Sequence, residues 1–261
     1  METTVNGRKI NYEIAGNGPW LTLSHSLACD LHMWDEQMDA LTQKYKVLRY
    51  DTRGHGKSEA PAGAYTLEGL ADDVHGLMQT LGIKRTHWAG LSMGGMIGQT
   101  FALKYPGVFQ SMVLADTTSR YPAEAAPIWE DRIKTAQTKG MDAIVDGTLA
   151  RWFTEPYRKK NPPALARVGA SIRATPVAGF VGCCHAIPTI NVTPRLKEIA
   201  CPTLVIVGEQ DPGTPVAMAR EIHEAKPGSK LVIIASAAHL SNIEQPQAFT
   251  AAMLDFLASA N

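Results

Sequence analysis

Apolar residues fall along this chain in two alternating rhythms. Short compact runs at residues 20–24, 46–50, 86–89, 110–115, 203–207 and 230–234 have the length and apolar density of buried strands. Between them the spacing turns helical. Leu67, Leu70, Val74, Leu77, Met78 and Leu81 predict a helix over residues 67–81, closed by Gly82. Similar spacing predicts helices over 34–45, with Trp34, Met38 and Leu41 on one face, and over 93–105, 215–225 and 246–257. At the start, Val5, Ile10, Tyr12 and Ile14 alternate around Asn6-Gly7, which predicts a hairpin over residues 3–15. Alternating strands and helices imply an α/β fold with a mostly parallel central sheet flanked by helices. In such sheets the ligand site lies at the carboxyl ends of the strands.

The rhythm changes after Asp116. Residues 119–194 hold no clear buried strand. Helical segments over 126–139 and 141–153 are broken by Pro156, Pro162-Pro163, Pro176 and Pro188. The expected organisation is a core built from residues 1–118 and 195–261, with 119–194 inserted as a helical cap.

Candidate chemistry follows from that frame. Gly90-Leu91-Ser92-Met93-Gly94 lies between a predicted strand and a predicted helix and fits G-x-S-x-G, the pattern of a sharp turn with a serine at its tip. Side chains at 90 and 94 would collide with neighbouring chain, and the helix starting at Met93 aims free N–H groups at the Ser92 hydroxyl. A serine nucleophile needs a base, and the base an orienting acid. Three histidines follow Ser92. His223 sits mid-helix among charged residues, His185 lies in the insertion, and His239 follows the strand at 230–234 through a small-residue loop. His239 is therefore the expected base. Asp211, in the loop after the strand at 203–207, is the expected acid; Asp116 is the alternative and Glu209 a weaker third. The oxyanion donors expected are the N–H groups of Met93 and Leu27.

Composition narrows the partners. The chain has 261 residues, 45% hydrophobic and 19% charged, which suits one large globular domain. Lys+Arg and Asp+Glu balance at 25 each, without a basic stripe, so nucleic acid is not an expected partner. No apolar run reaches the roughly 20 residues of a membrane span, and the N-terminus lacks signal-peptide character, so no membrane partner is expected. Cys29, Cys183, Cys184 and Cys201 form no C-x-x-C pair and read as free thiols of a reducing cytoplasm. Without H-E-x-x-H, a metal-spaced Cys/His cluster or a strand followed by G-x-G-x-x-G, neither a metal nor an organic cofactor is expected.

Several stretches together carry a resemblance. They are His25-Ser26-Leu27, Asp51-Thr52-Arg53-Gly54-His55-Gly56-Lys57-Ser58, the Ser92 pentapeptide, Arg151-Trp152-Phe153-Thr154, Gly208-Glu209-Gln210-Asp211-Pro212 and His239-Leu240-Ser241-Asn242. The chain resembles the α/β-hydrolases, and among them most resembles bacterial 3-oxoadipate enol-lactonases. The resemblance implies Ser92, Asp211 and His239 as a triad under a helical cap, with residues 51–58 as a structural loop. It also implies a small lactone or ester substrate bearing a carboxylate, within aromatic-compound degradation. Arg151 and Trp152 are the cap residues expected to bind that substrate, with His185 next. The chain departs from the pattern twice. His25-Ser26 stands where many relatives have His-Gly, which adds a Ser26 hydroxyl to the pocket. Cys184-His185-Ala186 stands where an acidic residue would precede the alanine. A short-chain carboxylesterase or C–C bond hydrolase with the same triad is the alternative, and a non-catalytic small-molecule receptor the second.

Overall fold

The computed structural model describes residues 1–160 and 162–260. Its N-terminal hairpin pairs β1 (Glu2–Val5) with β2 (Arg8–Ala15), Val5 opposite Arg8. Asn6 (φ 50°) and Gly7 (φ 76°) both take the left-handed conformation that a two-residue hairpin turn requires. Then follow β3 (Trp20–Ser24), a short 3-10 turn (Leu31–Trp34), α1 (Asp35–Leu41), β4 (Lys46–Tyr50), α2 (Leu67–Thr80), β5 (Thr86–Leu91), α3 (Met93–Lys104) and β6 (Phe109–Ala115). The described residues form one eight-stranded sheet, in the order β1-β2-β4-β3-β5-β6, then β7 (Thr203–Gly208) and β8 (Lys230–Ile234). From β4 to β8 every neighbouring pair is parallel; only β1 and β2 run antiparallel to their neighbours.

Every residue of β5 and β7 is buried, which is why both runs are apolar without alternation. Helix α3 packs between the sheet and α2 and is buried on all sides from Met93 to Ala102. Gly98 permits that approach, because a Cβ there would lie 2.2 Å from the Trp88 indole nitrogen. Helix α1 is shorter than the spacing predicts. It stops at Leu41, where the Thr42 hydroxyl bonds back to the Met38 carbonyl (2.8 Å) and the chain turns to bury Tyr45.

Between β6 and β7 come α4 (Ala126–Lys139), α5 (Asp142–Trp152), α6 (Glu155–Lys160), α7 (Pro163–Ala174) and α8 (Val177–Ala186). The two ends of this insertion meet: Val192 N donates to Ser119 O (2.8 Å), and Arg120 bridges Asn191. After β7 the chain closes with α9 (Val216–Ala225), β8, α10 (Ser241–Glu244) and α11 (Pro246–Ser259). Among the described residues no helix is long and apolar enough to cross a membrane.

Candidate active site

Ser92 sits at the tip of the β5–α3 turn with φ 54° and ψ −115°, a conformation that costs a non-glycine residue free energy. Its neighbours hold it there. Ser92 N donates to Ala115 O (2.8 Å), and the Thr117 hydroxyl donates to Ser92 O (2.7 Å). The flanking glycines are steric requirements. A Cβ at Gly90 would lie 2.2 Å from Gly94 O, and one at Gly94 would lie 2.3 Å from Ser24 O. The Met93 N–H, at the first helical position of α3, has no intrahelical partner.

Loops after β7 and β8 bring Asp211 and His239 together. His239 Nδ1 donates to Asp211 Oδ2 at 2.7 Å. The same carboxylate accepts from Gly213 N (2.8 Å), Thr214 N (3.1 Å) and the Thr214 hydroxyl (2.7 Å). Burial works against both charges. It is outweighed by their mutual attraction and hydrogen bonds, so Asp211 lies below and His239 above its ordinary pKa. Both fit an ionised acid that stabilises an imidazolium.

Leu27 lies in the loop after β3, and its N–H carries no hydrogen bond to another described residue. Residues 51–58 hold this loop from below. Ala28, at φ 58°, donates its N–H to His55 Nε2 (2.9 Å), and Leu31 N donates to Asp51 Oδ1 (2.9 Å). In return Thr52 N donates to His25 Nε2 (2.9 Å). Each imidazole accepts at Nε2 and so must be neutral. Burial, then the neighbouring His25, push His55 down to about 3, and burial lowers His25. The unfolded chain therefore takes up protons below about pH 6.5 that the folded loop refuses until near pH 3, and stability falls across that window. Thermal melts at about pH 7.5 and pH 5 should show a lower Tm at pH 5, with a smaller difference for His55→Gln. Equal pH slopes for the two proteins would count against the clamp.

A cavity of about 190 Å³ opens above Ser92, with Ser26, Leu27 and His239 at its floor. Ser26 is buried with its hydroxyl unpartnered, and it is Ala28, not Ser26, that adopts the positive φ in this loop. The inserted helices supply the walls. Trp152 is buried, its indole 6.1 Å from the His239 ring. Arg151 lines the cavity from an exposed position at its edge. Its Nη2 bonds only the Thr148 hydroxyl, at 3.4 Å.

One expectation from sequence changes here. His185 is exposed and does not line the cavity. On α8 its neighbours Cys183, Cys184 and Ala186 are buried, and one residue is a turn of about 100°, which puts His185 on the outer face. Instead the cavity receives Arg132, from α4, a residue that the sequence pattern did not single out. Its guanidinium lies 4.9 Å from the Trp129 ring and 5.9 Å from that of Phe180, and its Nε is buried without a hydrogen-bond partner. Trp129 and Arg132 at i and i+3 share one helix face. That pairing was the available signal, masked by the charged residues around it. His223 lies outside the site, half-buried and bonded to Ser229 Oγ (2.8 Å), and Glu209 is exposed.

The insertion is also fastened to the base loop. Leu240 N donates to Trp152 O (3.1 Å). Buried Glu244 takes Ala238 N (2.9 Å) on one oxygen, and Thr154 N (3.1 Å) and the Thr154 hydroxyl on the other.

Comparison with known proteins agrees with this fold. The family described as alpha/beta hydrolase fold matches residues 19–246. The chain is an α/β-hydrolase. It is 35% identical over 246 residues to 3-oxoadipate enol-lactonase 2 of Acinetobacter baylyi, covering 94% of this hydrolase and 91% of that protein. The enol-lactonase from Burkholderia xenovorans LB400 superposes on the hydrolase with a TM-score of 0.95 at 41% identity, covering 99% and 100% of the two chains. A thermophilic esterase from Thermogutta terrifontis, solved with malate bound, gives 0.94 at 28% identity, covering 100% and 98%.

Proposed function

We propose that this hydrolase opens a small carboxylate-bearing lactone through an acyl-enzyme on Ser92, with residues 119–194 as the cap that selects the substrate. His239 takes the Ser92 proton as the hydroxyl attacks the lactone carbonyl. The oxyanion forms against the N–H groups of Leu27 and Met93, worth about 10²–10³ in rate for each donor. Asp211 holds His239 in the tautomer whose Nε2 is free to accept. The ring-opened acyl-enzyme keeps its leaving group tethered within the same molecule, and water activated by His239 releases the open-chain acid.

The observation that carries the substrate class is a pair of arginines that line the nucleophile's cavity, neither of them held in an ion pair. Among the described residues neither Arg132 nor Arg151 forms an ion pair. Burial lowers the pKa of Arg132, and at the cavity edge partial desolvation of the guanidinium, then the charge of Arg132, lowers that of Arg151. Two like charges in a partly desolvated cavity favour a bound anion. A dicarboxylate product suits such a pair. The likeness to two enol-lactonases supports 3-oxoadipate enol-lactone as the substrate, and aromatic degradation as the setting. Malate in the related esterase is consistent with a cavity of this class that accepts carboxylates.

Arg132 tests the reading. Arg132→Ala should lower kcat/KM on the charged lactone by roughly ten- to a few-hundred-fold, the equivalent of about 1.5–3 kcal/mol for a charge-assisted bond. A neutral p-nitrophenyl ester of similar size never makes that bond and should change little. Arg151→Ala, at the exposed edge, should act in the same direction with a smaller effect. Equal losses on both substrates would make Arg132 structural. A wild-type preference for the neutral ester would move the assignment to a short-chain carboxylesterase.

A further inference from the structure

Asp116 was an alternative for the triad acid, and it forms no hydrogen bond with His239. It is fully buried at the carboxyl end of β6, at φ 44°. Its two oxygens reach two different catalytic loops. Oδ1 accepts from Gly208 N (2.7 Å), at the end of β7 where the Asp211 loop begins. Oδ2 is 2.5 Å from the Ser241 hydroxyl, two residues beyond His239. The residues on either side, Ala115 and Thr117, hold the backbone of Ser92. Three consecutive residues thus touch all three loops of the triad. The two loops that Asp116 joins already lie against each other, since a Cβ at Gly208 would come within 2.1 Å of Ala238 O.

We propose that Asp116 is a positioning residue that sets the Asp211 loop against the His239 loop, and that it does so from within the tripeptide that holds Ser92. This rests on the triad reading above. A carboxyl group fits in either protonation state. Ionised, it accepts from both partners. Protonated, it accepts from Gly208 N and donates to Ser241 Oγ. The titratable groups that face it are Asp211 and His239. Burial, then the Asp211 charge, push Asp116 up to about 8, so near neutrality it holds a proton and spares the triad a second negative charge. Above that pH the ionised form adds its charge beside His239 and favours the imidazolium formed during attack.

Asparagine reproduces the neutral form, with an oxygen for Gly208 N and an amide donor for Ser241. Alanine removes both bonds. The test is a pH series of kcat and KM on a neutral p-nitrophenyl ester, from about pH 6 to 9.5, for Asp116→Ala, Asp116→Asn and Ser241→Ala, with Ser92→Ala as the blank. A misplacement of about 1 Å costs on the order of 10²-fold, so Asp116→Ala should lose roughly that in kcat while KM moves less than about threefold. Asp116→Asn should recover most of the loss at pH 6 to 7, where the carboxyl group it replaces holds a proton. Ser241→Ala, which cuts one bond only, should fall between, and it stands in if Asp116→Ala does not fold. Wild-type kcat in the folded alanine variants, or an Asp116→Asn variant as impaired at pH 6 to 7 as Asp116→Ala, would overturn the role. An active Ser92→Ala blank would instead overturn the triad itself, so the two failures are told apart.

Discussion

Ser92→Ala should yield a folded protein with essentially no turnover. The side chain lost is one hydroxyl facing the cavity, and among the described residues no hydrogen bond depends on it. The backbone contacts that keep Ser92 at φ 54° come from Ala115 and Thr117 and are indifferent to the side chain. Alanine has the same Cβ in the same strained position, so the thermal midpoint should barely move. The chemistry is lost with the hydroxyl, because alanine offers no nucleophile at the tip of the turn. Loss of a triad nucleophile typically costs about 10⁴ or more in kcat. The check is steady-state kinetics beside a melt on the same preparation. A variant retaining more than about a hundredth of the wild-type rate would remove Ser92 from its role.

Asp211→Asn should be almost as damaging, for a reason visible in the hydrogen bonds. The carboxylate accepts four donors: two backbone N–H groups, the Thr214 hydroxyl and His239 Nδ1. An amide offers one acceptor oxygen. Keeping that oxygen on Gly213 and Thr214 N turns the NH2 group toward His239. The imidazole must then accept at Nδ1 and carry its proton at Nε2, the atom that has to receive the serine proton. The variant also loses the charge that holds the pKa of His239 above its ordinary value. Together these predict a drop of about 10⁴ in kcat/KM. Asp116→Asn, in which the amide can satisfy both neighbours, should be far milder at pH 7. If the two variants ranked the other way, Asp116 would be the acid.

Much of this was legible in the chain because backbone geometry and burial leave strong marks on sequence. Fully buried strands such as β5 and β7 have no polar face to alternate, and Asn6-Gly7 fits a turn with two positive φ angles. The G-x-S-x-G turn needs glycine twice for reasons of contact distance alone. The insertion was less legible. Its helices α7 and α8 pack by tertiary contact, amid prolines that break the spacing. Which polar residue of a helix faces inward depends on how that helix is rolled against its neighbours, and a roll of one residue is about 100°. That is why His185 faces outward and Arg132 inward. Arg132 lies in Glu130-Asp131-Arg132, which reads as an exposed charged run until Trp129 and Phe180 are brought against its guanidinium.

Glu244 gives the molecule a kinetic liability of its own. One buried carboxylate anchors both Ala238, beside the base, and Thr154, at the end of α5. A displacement of the inserted helices at Thr154 would therefore pull on the loop that carries His239. The same link works in reverse on heating. Fraying that starts in the peripheral helices should reach the imidazole before it reaches the sheet, so on heating activity is expected to fall before the fold is lost.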